Sequence, residues 1–196
     1  MMINTHRTIG KMMYDYTMEK LGFMLDEKSL KYGCIKPDIK SKYRAIPHYI
    51  ETSFHYVLRI IKELSAMEIP NTKKELKSFS EKLGIALHYI ADYFCYAHNS
   101  CEYEFLPVHL IYEKNLGKYI SEHGIMERCM ENASWLDFSE GFTDAWTNDY
   151  LLSLHSSYMM NRAGMKDDAI YAVTACMVIT YTIISTCAEN VRRKAA

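Results

Sequence analysis

The fold is decided by residues 83–98, which read LGIALHYIADYFCYAH. Their apolar content favours a buried helix, and on such a helix His88 and Asp92 are four residues apart and share a face. His98 follows His88 by ten residues, which places it about 80° round the same helix. One helix end therefore offers two imidazoles and a carboxylate to a common space.

A second pair with the same spacing follows, because His109 and Glu113 are also four residues apart. A single pair of this kind is usually exposed, or its histidine is buried with a hydrogen-bond partner. Here, however, residues 83–113 contain no lysine or arginine, and burying several ionisable groups without a partner is costly. Nitrogen and oxygen donors are ligands that zinc accepts. The two pairs, with His98 between them, therefore predict a metal site.

The composition indicates a globular chain of 196 residues, for which we expect one domain, 1–196. Hydrophobic residues make up 49% of it and the formal net charge is −1, so neither a disordered chain nor a long nucleic-acid partner is expected. The six cysteines form no C-x-x-C pair, which is typical of free thiols in a reducing compartment. The start of the sequence shows no signal-peptide pattern, so we expect a cytoplasmic protein.

The periodicity of the apolar residues predicts helices throughout. No segment alternates polar and apolar residues with the period of a strand for long, so the predicted fold class is all-α, a single-domain multi-helix bundle. The segments with a helical pattern are about 6–21, 46–68, 71–98, 109–123 and 146–162, followed by a final apolar segment.

Two stretches lack a helical pattern. Gly33 and Pro37 interrupt residues 32–42, which predicts a loop that carries Asp38. Residues 125–145 look irregular. Their aromatic side chains could rim a lipid-facing mouth or pin a long connection to the core, and they are Trp135, Phe138 and Phe142, with Trp146 just beyond.

The final segment is long enough to raise the question of a membrane span. Residues 169–188 carry no charge, and about 20 apolar residues are enough to cross a bilayer. The same residues include four threonines, a serine and two tyrosines. A central helix surrounded by other helices is also apolar on all sides. We therefore favour a buried core helix over a membrane span.

The remaining candidate ligands come earlier: His6 near the start, Asp38 after Pro37, and His48 ten residues later. This order, followed by His-x3-Asp-x5-His and His-x3-Glu, resembles the bacterial zinc-dependent phospholipase C family, which includes the catalytic domain of clostridial alpha-toxin. Single-strand-specific fungal zinc nucleases share that fold more distantly. The resemblance covers residues 5–113 and implies a helical bundle built around a trinuclear zinc site.

The resemblance implies that eight side chains bind metal. The ligands of the first zinc would be Asp38, His48, His88 and Asp92. Those of the second would be His98, His109 and Glu113. The third would be held by His6 and the bridging Asp92, together with the N-terminal Trp of the family. Because no Trp precedes His6 here, we expect two or three zinc ions.

The activity implied by the resemblance is phosphodiester hydrolysis of the phospholipase C type. Zinc lowers the pKa of bound water, so a hydroxide could attack phosphorus at neutral pH while further cations neutralise the transition state. Asp38 is a candidate catalytic general base, and its alternative role is metal ligation alone. The expected substrate is a phospholipid or another phosphodiester, met through peripheral membrane contact. Choline-preferring members carry aromatic residues where this chain has Ile39 and Ala45, which does not support a phosphatidylcholine preference.

Two other functions fit the same residues. A zinc-dependent nuclease or phosphomonoesterase would use the same metals, although the near-neutral charge disfavours long nucleic acids. A non-catalytic helical zinc-binding protein would have every metal position closed by protein ligands, whereas a catalytic site keeps a position for water. Activity assays separate the two enzymes, and the coordination of the metals separates both from the third alternative.

Overall fold

The computed structural model describes residues 1–43, 45–133 and 143–195. Within these ranges the regular structure is helical and no strand occurs, so the all-α prediction is confirmed. The α-helices are α1 (Ile3–Lys20), α2 (Glu27–Ile39), α3 (Ile50–Ser65), α4 (Lys73–Tyr93), α5 (Leu106–Glu122), α6 (Ile125–Ala133), α7 (Asp144–Asn161) and α8 (Met165–Ala195). Short 3₁₀ turns lie at Ser41–Tyr43, Tyr96–His98 and Cys101–Tyr103.

Helices α2 and α4 pack against each other at two glycines. A Cβ atom on Gly33 would lie 2.2 Å from the carbonyl oxygen of Glu81, and one on Gly84 would lie 2.3 Å from that of Leu30. Both distances are far shorter than a van der Waals contact, so the two backbones can approach this closely only where glycine provides the space. The close packing brings the C-terminal end of α2 against the face of α4 that carries the histidine and aspartate pair.

The prediction of a loop over residues 32–42 is wrong, because α2 continues to Ile39 and Asp38 lies in its last turn. Gly33 serves helix packing and not a turn. Pro37 removes one backbone hydrogen bond from α2, and the buried packing of this helix outweighs that loss. Gly33 and Pro37 therefore do not interrupt the helix, as their residue types suggested they would.

Helix α4 begins at a capping box in which Thr72 and Glu75 each accept the backbone N–H of the other at 3.2 Å. The helix ends at Tyr93, so the prediction that one helix extends to His98 is wrong. The side-chain amide of Asn99 donates to two carbonyl oxygens at this end, at 3.0 and 2.9 Å. One acceptor is the carbonyl of Tyr93, which the helix end leaves free, and the other is that of Cys95 just beyond the helix, so these bonds hold the turn of the chain. His98 consequently reaches the site from a 3₁₀ turn.

Helix α8 passes through the core. Among the described residues, Met165–Lys194 is the one helix long and apolar enough to cross a membrane. Of its most apolar window, 67% is buried inside the fold, which is the position of a core helix. It packs against the other helices through fully buried side chains that include Ala172, Val173, Cys176, Ile179 and Ile183.

The expectation of irregular structure over residues 125–145 is wrong for its first part, which forms α6. Ile125 and Cys129 are four residues apart and fully buried, so they give this short helix an apolar face. The aromatic residues that could rim a lipid-facing mouth, Trp135, Phe138 and Phe142, lie outside the described residues.

Candidate metal centre

The predicted donor side chains converge where α1 and α5 begin and where α2 and α4 end. The structure brings all eight of them together. They are His6 on α1, Asp38 on α2, His48 before α3, His88 and Asp92 on α4, His98 in the 3₁₀ turn, and His109 and Glu113 on α5.

Asp92 lies at the centre of this group and is fully buried. Its Oδ1 lies 3.4 Å from Nε2 of His6 and 3.6 Å from Nε2 of His98. Its Oδ2 lies 3.0 Å from Nδ1 of His48 and 3.4 Å from Nε2 of His88. The two oxygens therefore face two different sets of histidines, as the oxygens of a bridging carboxylate do.

Asp38 completes the donor set on the Oδ2 side of Asp92. Its Oδ1 lies 3.6 Å from Nε2 of His88 and 4.0 Å from Nδ1 of His48. The side chains of Asp38 and His48 are each 22% exposed, whereas those of His88 and Asp92 are fully buried. Burial, and the charge of Asp92 nearby, raise the pKa of Asp38. This donor set is therefore buried on the side of His88 and Asp92 and open to solvent on the side of Asp38 and His48.

Glu113 joins the second donor set. Its Oε1 lies 3.1 Å from Nε2 of His98 and 3.0 Å from Nε2 of His109. The buried thiol of Cys95 has its Sγ within 4.8 Å of donor atoms of His98 and Glu113, and burial raises the pKa of that thiol. Nitrogen, oxygen and sulfur are the three kinds of donor that zinc takes in proteins.

The amino group of Met1 lies between the two carboxylates of the centre. It contacts Asp92, and it lies 2.9 Å from Oε1 of Glu113 and 3.1 Å from Nε2 of His98. Burial opposes its charge, but Asp92 and Glu113 outweigh burial and raise the pKa of the amino group to about 12. A positive charge is thus held on the side of Asp92 that also faces His6, where the resemblance places the third zinc.

Backbone carbonyls fix the tautomers of two of the histidines. Nδ1 of His88 lies 2.8 Å from the carbonyl oxygen of Cys34, and Nδ1 of His109 lies 3.3 Å from that of Tyr103. A carbonyl oxygen can only accept, so in both rings Nδ1 carries the hydrogen and Nε2 keeps its lone pair. Both Nε2 atoms face the carboxylates. A metal-binding histidine usually donates a hydrogen bond of this kind from the ring nitrogen that does not bind the metal.

Several buried atoms of the centre lack a hydrogen bond of good geometry. Within the described residues these atoms are Nε2 of His6, Nε2 of His88 and Oδ2 of Asp92, although Nδ1 of His48 lies 3.0 Å from Oδ2. Leaving such atoms unpaired costs free energy, and divalent cations bound among them would satisfy them. Burial and the neighbouring His6 hold the pKa of His88 well below its usual value, so its imidazole is neutral, as ligation requires. The residues present therefore fit zinc.

Two pockets connect the donors with solvent. One, of about 440 Å³, lies beside His98 and His109 and is also lined by Tyr49 and Leu106. The other has a volume of about 480 Å³, and its lining includes Met1, Met2, Ile3, Asp38, His48 and Glu113. Since catalytic zinc sites keep a position for water or substrate, this access favours a catalytic site over a closed structural one.

Sequence reasoning missed a buried polar network next to the centre. Asp168 on α8 is fully buried and accepts from the hydroxyl of Tyr158 at 2.9 Å and from Nε of Arg162 at 2.6 Å. It also accepts from the hydroxyl of Tyr112 and, at 3.2 Å, from the backbone N–H of Tyr96. The guanidinium of Arg162 lies 3.7 Å from the ring centroid of Tyr96.

This network supports the second donor set. Tyr112 directly precedes Glu113, and Tyr96 belongs to the same 3₁₀ turn as His98. Asp168 therefore ties α8 to both segments that supply the second set. In the sequence, Asp168 directly precedes the uncharged residues 169–188, and no spacing pattern links it to its partners.

The fold and the centre are those of a helical protein whose clustered donor groups are compatible with zinc. A sequence model of the zinc-dependent phospholipase C family matches residues 5–165, which is most of the chain. This protein belongs to the zinc-dependent phospholipase C family. No curated protein and no solved structure in the comparisons matches it. Family membership suggests a hydrolase of the phospholipase C type.

Proposed function

We propose that this protein is a zinc-dependent phosphodiesterase that removes the headgroup from a phospholipid. The observation that most supports this is the position of Asp92, whose two oxygens face separate donor sets. Donors on both sides of Asp92 would hold more than one ion, and paired metals are a common arrangement for in-line displacement at phosphorus. The family match supports the same class of reaction.

The residues have separate roles in the proposed reaction. Asp38, His48, His88 and Asp92 would hold one ion, and His98, His109 and Glu113 would hold another. Zinc, when bound, lowers the pKa of water towards neutrality and offsets the negative charge of the phosphate. Water adds to phosphorus, the bond from phosphorus to the glycerol oxygen breaks, and diacylglycerol and a phosphorylated headgroup are released. Asp38, on the open side, would accept the proton of the water, and the departing glycerol oxygen would take up a proton from Asp38 or from solvent.

The preferred headgroup is proposed to lack a quaternary ammonium. Ile39 is 41% exposed and Ala45 is exposed, so neither position offers an aromatic face to a cation. Tyr49 lies at the mouth, with its ring centroid 6.1 Å from that of His98, and it supplies one aromatic face. A single aromatic ring binds a quaternary ammonium more weakly than several rings around it do. Phosphatidylethanolamine and phosphatidylglycerol are therefore expected to be cleaved at least as fast as phosphatidylcholine.

A lipid panel tests the proposal. Protein supplied with zinc is mixed with vesicles of each glycerophospholipid, and diacylglycerol and the phosphorylated headgroup are measured. We expect turnover that is lost in the double variant His88→Ala, Asp92→Asn and kept in His123→Ala, an exposed histidine at the far end of α5. Absence of turnover on every lipid, or turnover that persists in the double variant, would contradict the proposal.

The same preparations distinguish the alternative functions. Cleavage of single-stranded DNA or of a phosphomonoester, without cleavage of lipid, would identify a nuclease or a phosphomonoesterase on the same donors. Absence of all turnover, with every bound ion saturated by protein ligands, would identify a non-catalytic zinc-binding protein. The net charge of −1 gives no support to a long nucleic-acid substrate.

A further inference from the structure

The N-terminal end of α5 carries the most exposed cluster of large apolar side chains near the metal centre. We call residues 104–111 the α5 tip. Phe105 is 69% exposed, Leu106 64% and Ile111 60%, and Val108 and Leu110 are also exposed. Contiguous apolar surface of this kind is rare on a soluble protein unless it contacts something.

The exposed apolar side chains of the α5 tip spread over more than half of the helix circumference. At about 100° per residue, Leu110, Ile111 and Val108 lie roughly 40°, 140° and 200° round the axis from Leu106. His109, at about 300°, lies on the remaining side, which faces the metal centre. A protein groove covers one narrow face of a helix, whereas an exposed apolar surface as wide as this one is suited to an apolar medium.

The position of the metal centre along α5 matches the thickness of a lipid headgroup layer. With a rise of 1.5 Å per residue, His109 lies about 4.5 Å and Glu113 about 10 Å from Leu106 along the helix axis. The headgroup layer on each side of a bilayer is about 5–8 Å thick. With the α5 axis perpendicular to the bilayer and Leu106 at the acyl-chain boundary, His109 would lie within the headgroup layer and Glu113 just outside it. The pocket lined by Tyr49, Leu106 and His109 connects the donors with this layer.

The charges around the α5 tip indicate which lipid surface it suits. Residues 105–112 carry no Lys, Arg, Asp or Glu; the exposed Glu102 and Glu104 precede them and the exposed Lys114 follows them. This surface therefore has no cluster of basic residues, through which anionic lipids recruit proteins. Binding should therefore depend on buried apolar area, without enhancement by anionic lipid and with little dependence on salt.

We propose that the α5 tip inserts into the surface of a zwitterionic phospholipid bilayer and so delivers the metal centre to the phosphodiester. The proposal rests on the proposed function for its biological purpose, but docking itself requires no turnover. Phosphatidylcholine vesicles are the probe, because they present the required surface and are not the expected preferred substrate.

The test compares zinc-loaded variants in a vesicle sedimentation assay at low temperature. The double variant Phe105→Ser, Ile111→Ser removes apolar area from the α5 tip without touching the residues that line the pockets. The matched control is Met18→Ser, Met24→Ser, two exposed methionines near the opposite end of α1. We expect the tip variant to bind vesicles at least about tenfold more weakly than the unchanged protein, and the control to bind equally.

Every other outcome overturns the docking proposal. The first is that the unchanged protein does not bind vesicles, and the second is that the tip variant binds as well as the control. The third is that sedimentation velocity shows a dimer of the unchanged protein that the tip variant no longer forms, while vesicle binding stays the same. Diacylglycerol measured in the same tubes, and hydrolysis of a soluble short-chain phospholipid, report on the proposed function separately. Binding without hydrolysis would contradict the function alone, and hydrolysis of the soluble lipid without binding would contradict docking alone.

Discussion

At the residue scale, Asp92 shows how a buried charge is kept in this fold. Burial disfavours the ionised carboxylate, but the amino group of Met1 and the imidazole of His6 outweigh burial and hold the pKa of Asp92 well below its usual range. The carboxylate is therefore charged at neutral pH. A buried charge of this kind is stable only while positive groups surround it, and divalent cations are stronger partners than imidazoles.

The role of Asp38 can be separated from simple ligation by one substitution. Asp38→Asn keeps an oxygen donor but removes the group that would accept a proton. We expect the zinc content to stay unchanged while turnover falls by about 10²–10⁴-fold. Asp15→Asn, at a partly exposed acid on α1 that pairs with Lys11 away from the donors, is the control and should change neither quantity. A fall in zinc content proportional to the fall in turnover would show that Asp38 acts by ligation only.

The donor residues could be named from the sequence because two pairs have helical spacing and the order of all eight resembles that of the zinc-dependent phospholipase C family. The contacts that orient them could not be predicted. The carbonyl oxygens of Cys34 and Tyr103 set the tautomers of His88 and His109, and a backbone carbonyl leaves no pattern in the sequence. The same holds for Asp168, whose partners come from three other segments of the chain.

At the scale of elements, the packing of α2 on α4 determines where Asp38 lies. Gly84→Ala would place a Cβ atom 2.3 Å from the carbonyl oxygen of Leu30, so the two helices must separate. We expect the free energy of unfolding, measured by urea denaturation, to fall by about 1–3 kcal/mol, and zinc at the Asp38 set to weaken. Gly164→Ala, where a Cβ meets nothing within 4 Å, is the control and should stay within about 0.5 kcal/mol. Equal effects of the two substitutions would contradict this account of the packing.

The network of Asp168 connects α8 to the second donor set, and its loss should affect both stability and metal binding. Asp168→Asn leaves Arg162 without its buried charged partner. We therefore expect the free energy of unfolding to fall by about 3–5 kcal/mol. Tyr158→Phe removes a single hydrogen bond to the carboxylate and should cost about 1.5–3 kcal/mol. Zinc at the second set should weaken more than zinc at the first.

Urea denaturation of both variants tests whether Asp168→Asn is the more destabilising of the two. Zinc titration tests whether the second donor set loses more affinity than the first. Asp149→Asn, at an exposed acid on α7, is the control and should stay within about 0.5 kcal/mol. If Asp168→Asn were no more harmful than this control, the network would not hold the second set in place.

The sequence predicted most of the helices, because their apolar residues recur with the helical period. It did not predict α2, and it did not predict where α4 ends. Gly33 and Pro37 suggested a loop, yet Gly33 faces α4 and the burial of α2 outweighs the lost hydrogen bond of Pro37. No glycine or proline marks the end of α4 at Tyr93, which depends on the side chain of Asn99, six residues after Tyr93. Helix ends set by tertiary contacts lie outside what periodicity can report.

At the scale of the whole molecule, the metals should stabilise the fold as well as supply chemistry. The donors come from four helices, the segment before α3 and the 3₁₀ turn, so ions bound among them would link these parts together. Zinc at 100 times its dissociation constant would stabilise the folded state by about 2.7 kcal/mol per site. For a chain of this size that corresponds to a rise in Tm of roughly 5–10 °C.

Thermal unfolding with and without a chelator measures this effect. We expect the chelated protein to unfold at the lower temperature and added zinc to restore the original Tm, while magnesium does not, because the donor set is rich in imidazole. An identical Tm in chelator and in zinc would show that no metal links these elements.

The central claim is that the eight donor residues hold zinc around Asp92, and anomalous diffraction at the zinc edge tests it most directly. The crystals should be grown from protein purified without chelator and without added metal. Our account predicts two or three anomalous peaks around the carboxylate of Asp92, with one peak beside Asp38, His48 and His88 and another beside His98, His109 and Glu113. Crystals with no zinc peak at these residues, or with zinc bound only elsewhere on the chain, would contradict it.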